Sequence, residues 1–214
     1  MKISAVIFDM DGVIIDSEPL WRKAEKEIFK IQHIILTDDM CRSTAGLRLV
    51  QVVEHWQKRF GFDNEIKSKL VKDVHDKVVE LIIGEGKSFE GLLDLLDKVK
   101  SKNYKIALAS GSSYSIIDAV LKKLNIKNYF NVIRSGDDEE YGKPHPQIFI
   151  STAKLLETEP ENCLVIEDSR NGVLAAKAAR MHVVAMPEHE VANDIVFKIA
   201  DYRISNLGEI LNII

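Results

Sequence analysis

The chain has 214 residues, 46% of them hydrophobic and 29% charged, with a formal net charge of −4. That length allows one large domain or two unequal ones, and the composition is that of an ordinary globular protein. The charge argues against a nucleic-acid binder, which needs a basic face, and no run of about 18 apolar residues is present to span a membrane. The opening Met-Lys-Ile-Ser-Ala-Val-Ile-Phe is apolar over too short a stretch for a signal peptide, and aspartates follow it. Cys41 and Cys163 fall in segments of different character. Both are expected as reduced thiols in a cytoplasmic protein.

Ala5-Val-Ile-Phe is a continuous apolar run that suits a strand buried on both faces. It runs directly into Asp9-Met-Asp11-Gly12. Ser17 is a candidate N-cap, and Pro19 suits a first helical turn. From there to residue 83 the period is helical. Trp21, Ala24, Ile28 and Ile31 share one spacing. Leu49, Val52, Val53, Trp56 and Phe60 share another, as do Leu70, Val74, Val78, Leu81 and Ile82. Gly84 and Gly86 then mark a break.

Beyond them strands and helices alternate. Gly91–Val99 reads as an amphipathic helix and Lys105–Ala109 as a buried strand ending in Ser110-Gly111. A helix from Ile116 to Leu124 and a short strand Asn131–Arg134 follow, then the acidic loop Asp137-Asp-Glu-Glu140. Pro146 opens a helix reaching Leu156. Cys163–Ile166 is a strand ending in Glu167-Asp168-Ser169, followed by an alanine-rich helix, Val173–Met181, and a strand, His182–Met186. A weak strand near Tyr202 and a short helix from Leu207 close the chain. Such alternation predicts an α/β fold, a doubly wound (Rossmann-like) parallel sheet with helices on both faces. The first strand must join that sheet. The expected division is therefore a core of residues 1–15 and 84–214, with residues 16–83 inserted as a helical cap placed to act as a lid.

Four polar groups lie after strands or in loops of this core: Asp9/Asp11, Ser110-Gly111, Lys143 in Gly-Lys-Pro-His-Pro, and Glu167-Asp168. In open α/β sheets ligands bind at the carboxyl ends of the strands, so these groups can converge. An isolated Asp-x-Asp pair also suits a solvated turn. Two carboxylates that close repel unless a proton or cation relieves them, and Mg²⁺ is a hard ion that prefers oxygen ligands. The set makes sense for phosphoryl transfer. An aspartate attacks phosphorus, Mg²⁺ and Lys143 neutralise the phosphoryl oxygens, and Ser110 with nearby N–H groups binds the rest. Asp11 would act as acid and then base.

Taken in order, Asp9-Met-Asp11-Gly-Val, Ser110, Lys143 and Glu167-Asp168 resemble the four motifs of the haloacid dehalogenase superfamily of phosphatases and phosphomutases. The resemblance spans the whole chain. It implies that Asp9 is the nucleophile, Asp11 the general acid/base and Asp168 a Mg²⁺ ligand. Asp9, Asp11 and Glu167 are further candidates around the metal. It also implies an enzyme acting on small phosphomonoesters, while charge and composition argue against nucleic acid and membrane as partners, and a monomer is the default because no long exposed apolar stripe stands out. Asp16-Ser-Glu-Pro-Leu-Trp21, Gly46-Leu-Arg48, Lys143-Pro-His-Pro-Gln and Glu167-Asp-Ser-x-Asn-Gly172 look most like the 2-deoxyglucose-6-phosphate and hexitol phosphatases. The related β-phosphoglucomutases carry a histidine where this chain has Trp21, which favours hydrolysis here. A response-regulator receiver also gathers acids, a Ser/Thr and a Lys around a phosphorylated Asp. It has no place for the helical insertion.

The remaining polar residues have plainer readings. Ser110, Gly111, Lys143 and Arg48 are the candidate substrate contacts, although Arg48 would equally suit a surface ion pair. His145 reads as structural or peripheral, and residues 137–140 as a solvated loop. Trp21 and Trp56 suit cap packing, with the cleft as an alternative for Trp21. Asn171-Gly172 would cap or open the alanine-rich helix, whose N-terminus also suits an anion.

Overall fold

The computed structural model describes residues 2–214. Six strands form one parallel sheet: β1 (Ala5–Phe8), β2 (Lys105–Ser110), β3 (Val132–Ser135), β4 (Cys163–Glu167), β5 (His182–Ala185) and β6 (Tyr202–Arg203), in the order β3-β2-β1-β4-β5-β6. Every residue of β1 and β4 is buried, as expected of central strands covered on both faces. The chain builds outward on one side of β1 and then returns to its other side with β4. The switch point therefore lies between β1 and β4, the crevice where open α/β sheets bind ligands.

The two-residue strand period sorts the core into two layers. Val6, Phe8, Leu164 and Ile166 face one layer, with Leu95 and Leu96 of helix α5 (Leu92–Ser101) and Ile117 and Val120 of α6 (Tyr114–Leu124). Ala5, Ile7, Cys163 and Val165 face the other, with Phe149 of α7 (Gln147–Leu155) and Val173 and Ala176 of α8 (Arg170–Ala178). The C-terminal segment Leu207–Asn212 is a 3₁₀ helix that buries Leu207 and Ile210 in the first layer, rather than an α-helix.

Four helices intervene between β1 and β2: α1 (Glu18–Ile31), α2 (Asp38–Ser43), α3 (Leu49–Phe60) and α4 (Asn64–Glu85). Their apolar stripes meet around Ala24, Phe29, Val53, Trp56, Val74 and Val78, all fully buried. The short helix α2 carries no apolar period and is legible only from its N-cap, Thr37, whose hydroxyl accepts from the Met40 N–H. Helix α4 runs through Gly84 and stops at Glu85, so the first glycine does not break it. It also packs against α6, which ties the helical insertion to the core.

Trp56 is completely buried, and its Nε1 has no hydrogen-bond partner among the described residues. Its contribution is therefore all packing. Trp56→Ala is expected to cost about 3–5 kcal/mol, and Trp56→Phe much less, since no hydrogen bond is lost with the indole. Urea unfolding of the two variants checks this, and equal losses would contradict it.

Candidate active site

Asp9 follows β1 directly, and its N–H donates to the Ile166 carbonyl of β4, so the chain leaves the sheet at the switch point. Its side chain is 6% exposed. Lys143, 4% exposed, comes from the loop before α7 and donates to Asp9 Oδ1 at 2.6 Å and to Glu167 Oε1 at 2.5 Å. The other oxygen of Glu167 accepts from the Ser169 N–H and hydroxyl at 2.9 and 3.0 Å. Glu167 is thereby a completely buried carboxylate that accepts three hydrogen bonds and fixes Lys143 beside Asp9. Burial opposes the charge on Lys143, but Asp9 and Glu167 outweigh it and raise the ammonium pKa. Burial also raises Asp9, to about 8; Lys143 opposes the shift, while Glu167 and Asp11 add to it.

Asp168 is buried too and accepts no hydrogen bond from any described residue. Burial and then the charge of Glu167 raise its pKa well above the usual carboxylate range. Ligand oxygens of Asp9, Glu167 and Asp168 lie within 4.8 Å of one another. Three buried acids share one lysine, so ionising all of them calls for further positive charge. An all-oxygen donor set with that deficit fits a hard divalent cation such as Mg²⁺. The Asp11 carboxylate stands outside this trio.

Two glycines make the close approach feasible. Gly12 has φ +72°, and a Cβ there would lie 2.0 Å from Asp168 Oδ2. At Gly172 a Cβ would fall 1.7 Å from Glu167 Oε1. Asn171-Gly172 lies in the opening turn of α8, and the cap is Ser169, two residues before Asn171, whose hydroxyl accepts from the Gly172 N–H. Asn171 Nδ2 donates to the Ala45 carbonyl of the cap.

Asp11 accepts three hydrogen bonds. Ser17 Oγ and Trp21 Nε1 donate to Oδ1 at 2.6 and 2.9 Å, and Ser112 Oγ donates to Oδ2 at 2.8 Å. Trp21 thus faces the cleft rather than only packing in the cap. Ser17 stands at the N-cap of α1, yet it makes no side-chain capping bond. Its hydroxyl serves Asp11 instead. Ser17 and Ser112 are partners of Asp11 that the sequence reading missed. Ser112 follows Ser110-Gly111 without any distinguishing spacing, and Ser17 had a sufficient local explanation.

Ser110, buried at the end of β2, accepts from the Ser112 N–H and borders the cleft with Gly111. Arg48 borders it as well, but its guanidinium donates to the carbonyls of Gly136, Glu139 and Glu140. It is a strap from cap to core, with no surface ion pair. The 137–140 loop is not wholly solvated. Glu139 is buried, bound to Arg134 Nε at 2.8 Å and the Ser151 hydroxyl at 3.1 Å. His145 stays peripheral, its Nδ1 against the Gln147 N–H and its ring 4.8 Å from that of Tyr141. On the opposite flank Glu188, after β5, pairs with Arg22 of α1 at 2.9 Å and Arg42 of α2 at 3.3 Å. Arg48, Asn171 and Glu188 together hold the cap over the core. Between them is a cleft of about 710 Å³ with Asp9, Asp11, Lys143 and Asp168 on its core side.

Residues 3–180 match the family of haloacid dehalogenase-like hydrolases. The chain is 33% identical to hexitol phosphatase B of Escherichia coli, over 98% of this chain and 95% of that one. It is 30% identical to a phosphorylated carbohydrates phosphatase of Thermotoga maritima, over 83% of this chain and 82% of that one. Among solved structures, β-phosphoglucomutase from Clostridium difficile superimposes with a TM-score of 0.84 at 30% identity, covering 97% of this chain and 92% of that one. By this match and these relatives the chain belongs to the haloacid dehalogenase-like hydrolases and is a phosphatase of that family.

Proposed function

We propose that this enzyme is a Mg²⁺-dependent phosphatase of small sugar phosphates: hexose, 2-deoxyhexose or hexitol phosphates. The observation that carries the reading is Lys143 locked 2.6 Å from Asp9 at the floor of a capped cleft. Similarity to hexitol phosphatase B supports the substrate class. Mg²⁺, held by Asp9, Asp168 and Glu167, would supply positive charge to the phosphoryl oxygens.

The chain's own groups account for the rest. Lys143 occupies Asp9 Oδ1, and Oδ2 accepts from no described protein group, so that oxygen is the one to attack phosphorus. The bond to the leaving oxygen breaks as Asp11 gives it a proton, and an aspartyl-phosphate forms on Asp9. Water then attacks the phosphorus, Asp11 takes its proton, and the bond to Asp9 breaks to release phosphate. Lys143 offsets charge throughout. The Ser110 hydroxyl and the N–H groups after β2 bind equatorial oxygens. Ser17, Trp21 and Ser112 hold Asp11 in line for both proton transfers. The two buried, unpaired cysteines suit a cytoplasmic setting.

A second reading is a phosphomutase, favoured by the likeness to β-phosphoglucomutase. Trp21 weighs against it. An indole N–H only donates, whereas the histidine of the mutases can both give and take a proton.

Asp9→Asn is expected to lower kcat by at least about 10³-fold with an unchanged circular dichroism spectrum. An active, folded Asp9→Asn protein would remove Asp9 as nucleophile. Phosphate release from hexose 6-phosphates and hexitol phosphates should depend on Mg²⁺ and stop with chelator. Glucose 6-phosphate formed from β-glucose 1-phosphate and a trace of 1,6-bisphosphate, without net phosphate release, would make the enzyme a mutase.

A further inference from the structure

Where α4 of the cap packs on α6 of the core, a line of hydrogen-bonded side chains stands that phosphoryl transfer does not use. His75 and Asp76 are neighbours on α4, and Ser113 and Ser115 stand at the start of α6. Asp76 Oδ1 lies 3.1 Å from His75 Nδ1, and His75 Nε2 lies 2.6 Å from Ser115 Oγ. Ser115 Oγ lies 2.9 Å from Ser113 Oγ.

The chemistry of the groups sets the direction of these bonds. Lys72 donates to the other oxygen of Asp76 at 2.7 Å, and Lys72 and then His75 hold the Asp76 carboxyl below its usual range. An ionised carboxylate only accepts, so His75 Nδ1 carries the proton. In the neutral ring Nε2 is then a bare acceptor, and it takes the hydrogen bond of the Ser115 hydroxyl. The Ser115 oxygen in turn accepts from Ser113. A hydroxyl that donates to an imidazole, whose other nitrogen is held by a carboxylate, is the arrangement that makes serine a nucleophile. It is recognised by geometry, whatever the order of the residues along the chain.

Access and a place for negative charge are also present. Ser115 is exposed, and the His75 side chain is 28% exposed. His75 and Ser113 border the cleft, together with the apolar Val71 and Ile116. The Ser115 N–H lies in the first turn of α6 and has no acceptor among the described residues. An N–H at the positive end of a helix favours a developing oxyanion.

We propose that Ser115, with His75 as its base and Asp76 orienting the imidazole, is a second nucleophilic site that hydrolyses small carboxylic esters. Ser115 Oγ attacks the ester carbonyl carbon while its proton passes to His75 Nε2. The bond to the alcohol oxygen breaks, and the departing alkoxide takes that proton. Water then attacks the acyl carbon and gives a proton to His75. The bond to Ser115 breaks, and its oxygen takes the proton back. Ester and water become acid and alcohol, with no other reactant. The site is shared between cap and core, and it does not rest on the phosphatase reading.

Hydrolysis of p-nitrophenyl acetate in the presence of chelator, by the wild type, Ser115→Ala and His75→Gln, tests this. The wild-type kcat/KM should exceed that of both variants at least about tenfold. A brief incubation of the wild type should also leave an acetyl group on Ser115, located by mass spectrometry of its peptides. Circular dichroism verifies folding, and His75→Gln carries the comparison if Ser115→Ala misfolds. A smaller difference in the folded variants overturns the proposal, as does an acetyl group found only on other residues. Neither result touches phosphate release from sugar phosphates, which Ser115→Ala should retain within about twofold.

Discussion

Lys143 is an ammonium buried between the carboxylates of Asp9 and Glu167, and the rest of the site depends on its being there. Removing charges from water costs several kcal/mol per ion, and only good geometry with further hydrogen bonds recovers it. The fold supplies both. Glu167 is itself secured by two donors from Ser169, so Lys143 has one well-defined seat. Even so, the group does not balance. Asp168 remains a buried acid with no donor, and the surplus negative charge is what a divalent cation would relieve. The same imbalance explains why glycine is required at residues 12 and 172. Any side chain there would push the acids out of the space in which they must crowd.

The cap adds a different kind of control. Its contacts with the core are polar and lie around the rim: Arg48 on three carbonyls, Asn171 on Ala45, and Glu188 on two arginines. Polar rim contacts of this kind hold a lid without burying a large apolar face, which leaves opening and closing accessible. The packed join is elsewhere, where α4 lies on α6. Trp21 belongs to the cap and donates to Asp11 of the core, so this contact with the Asp11 carboxylate depends on the cap being seated.

Within the cleft, charge is divided between the two sides. The core side gathers Asp9, Asp11, Lys143 and Asp168. The cap side carries Glu18, Arg22 and Glu25 of α1, with Arg22 paired to Glu188.

Much of this was legible in the chain itself. The apolar run into Asp9 identified a central strand, and three of the four polar groups stood directly after strands. In a parallel sheet strand ends share one edge, so order along the chain predicted convergence in space. The 3.6-residue stripes of α1, α3 and α4 likewise announced the cap. What the sequence alone could not determine was which partner each polar side chain takes. Ser17 had a local use as an N-cap and Asn171 another, yet both are drawn to groups distant in sequence. Arg48 suited a substrate hydroxyl or phosphate or a surface acid, and in the fold its guanidinium also reaches three core carbonyls. Periodicity reports which face of an element is buried, because hydrophobic burial repeats with the backbone. Hydrogen bonds are directional and short-ranged, and only the packed tertiary structure brings a particular donor within reach of a particular acceptor.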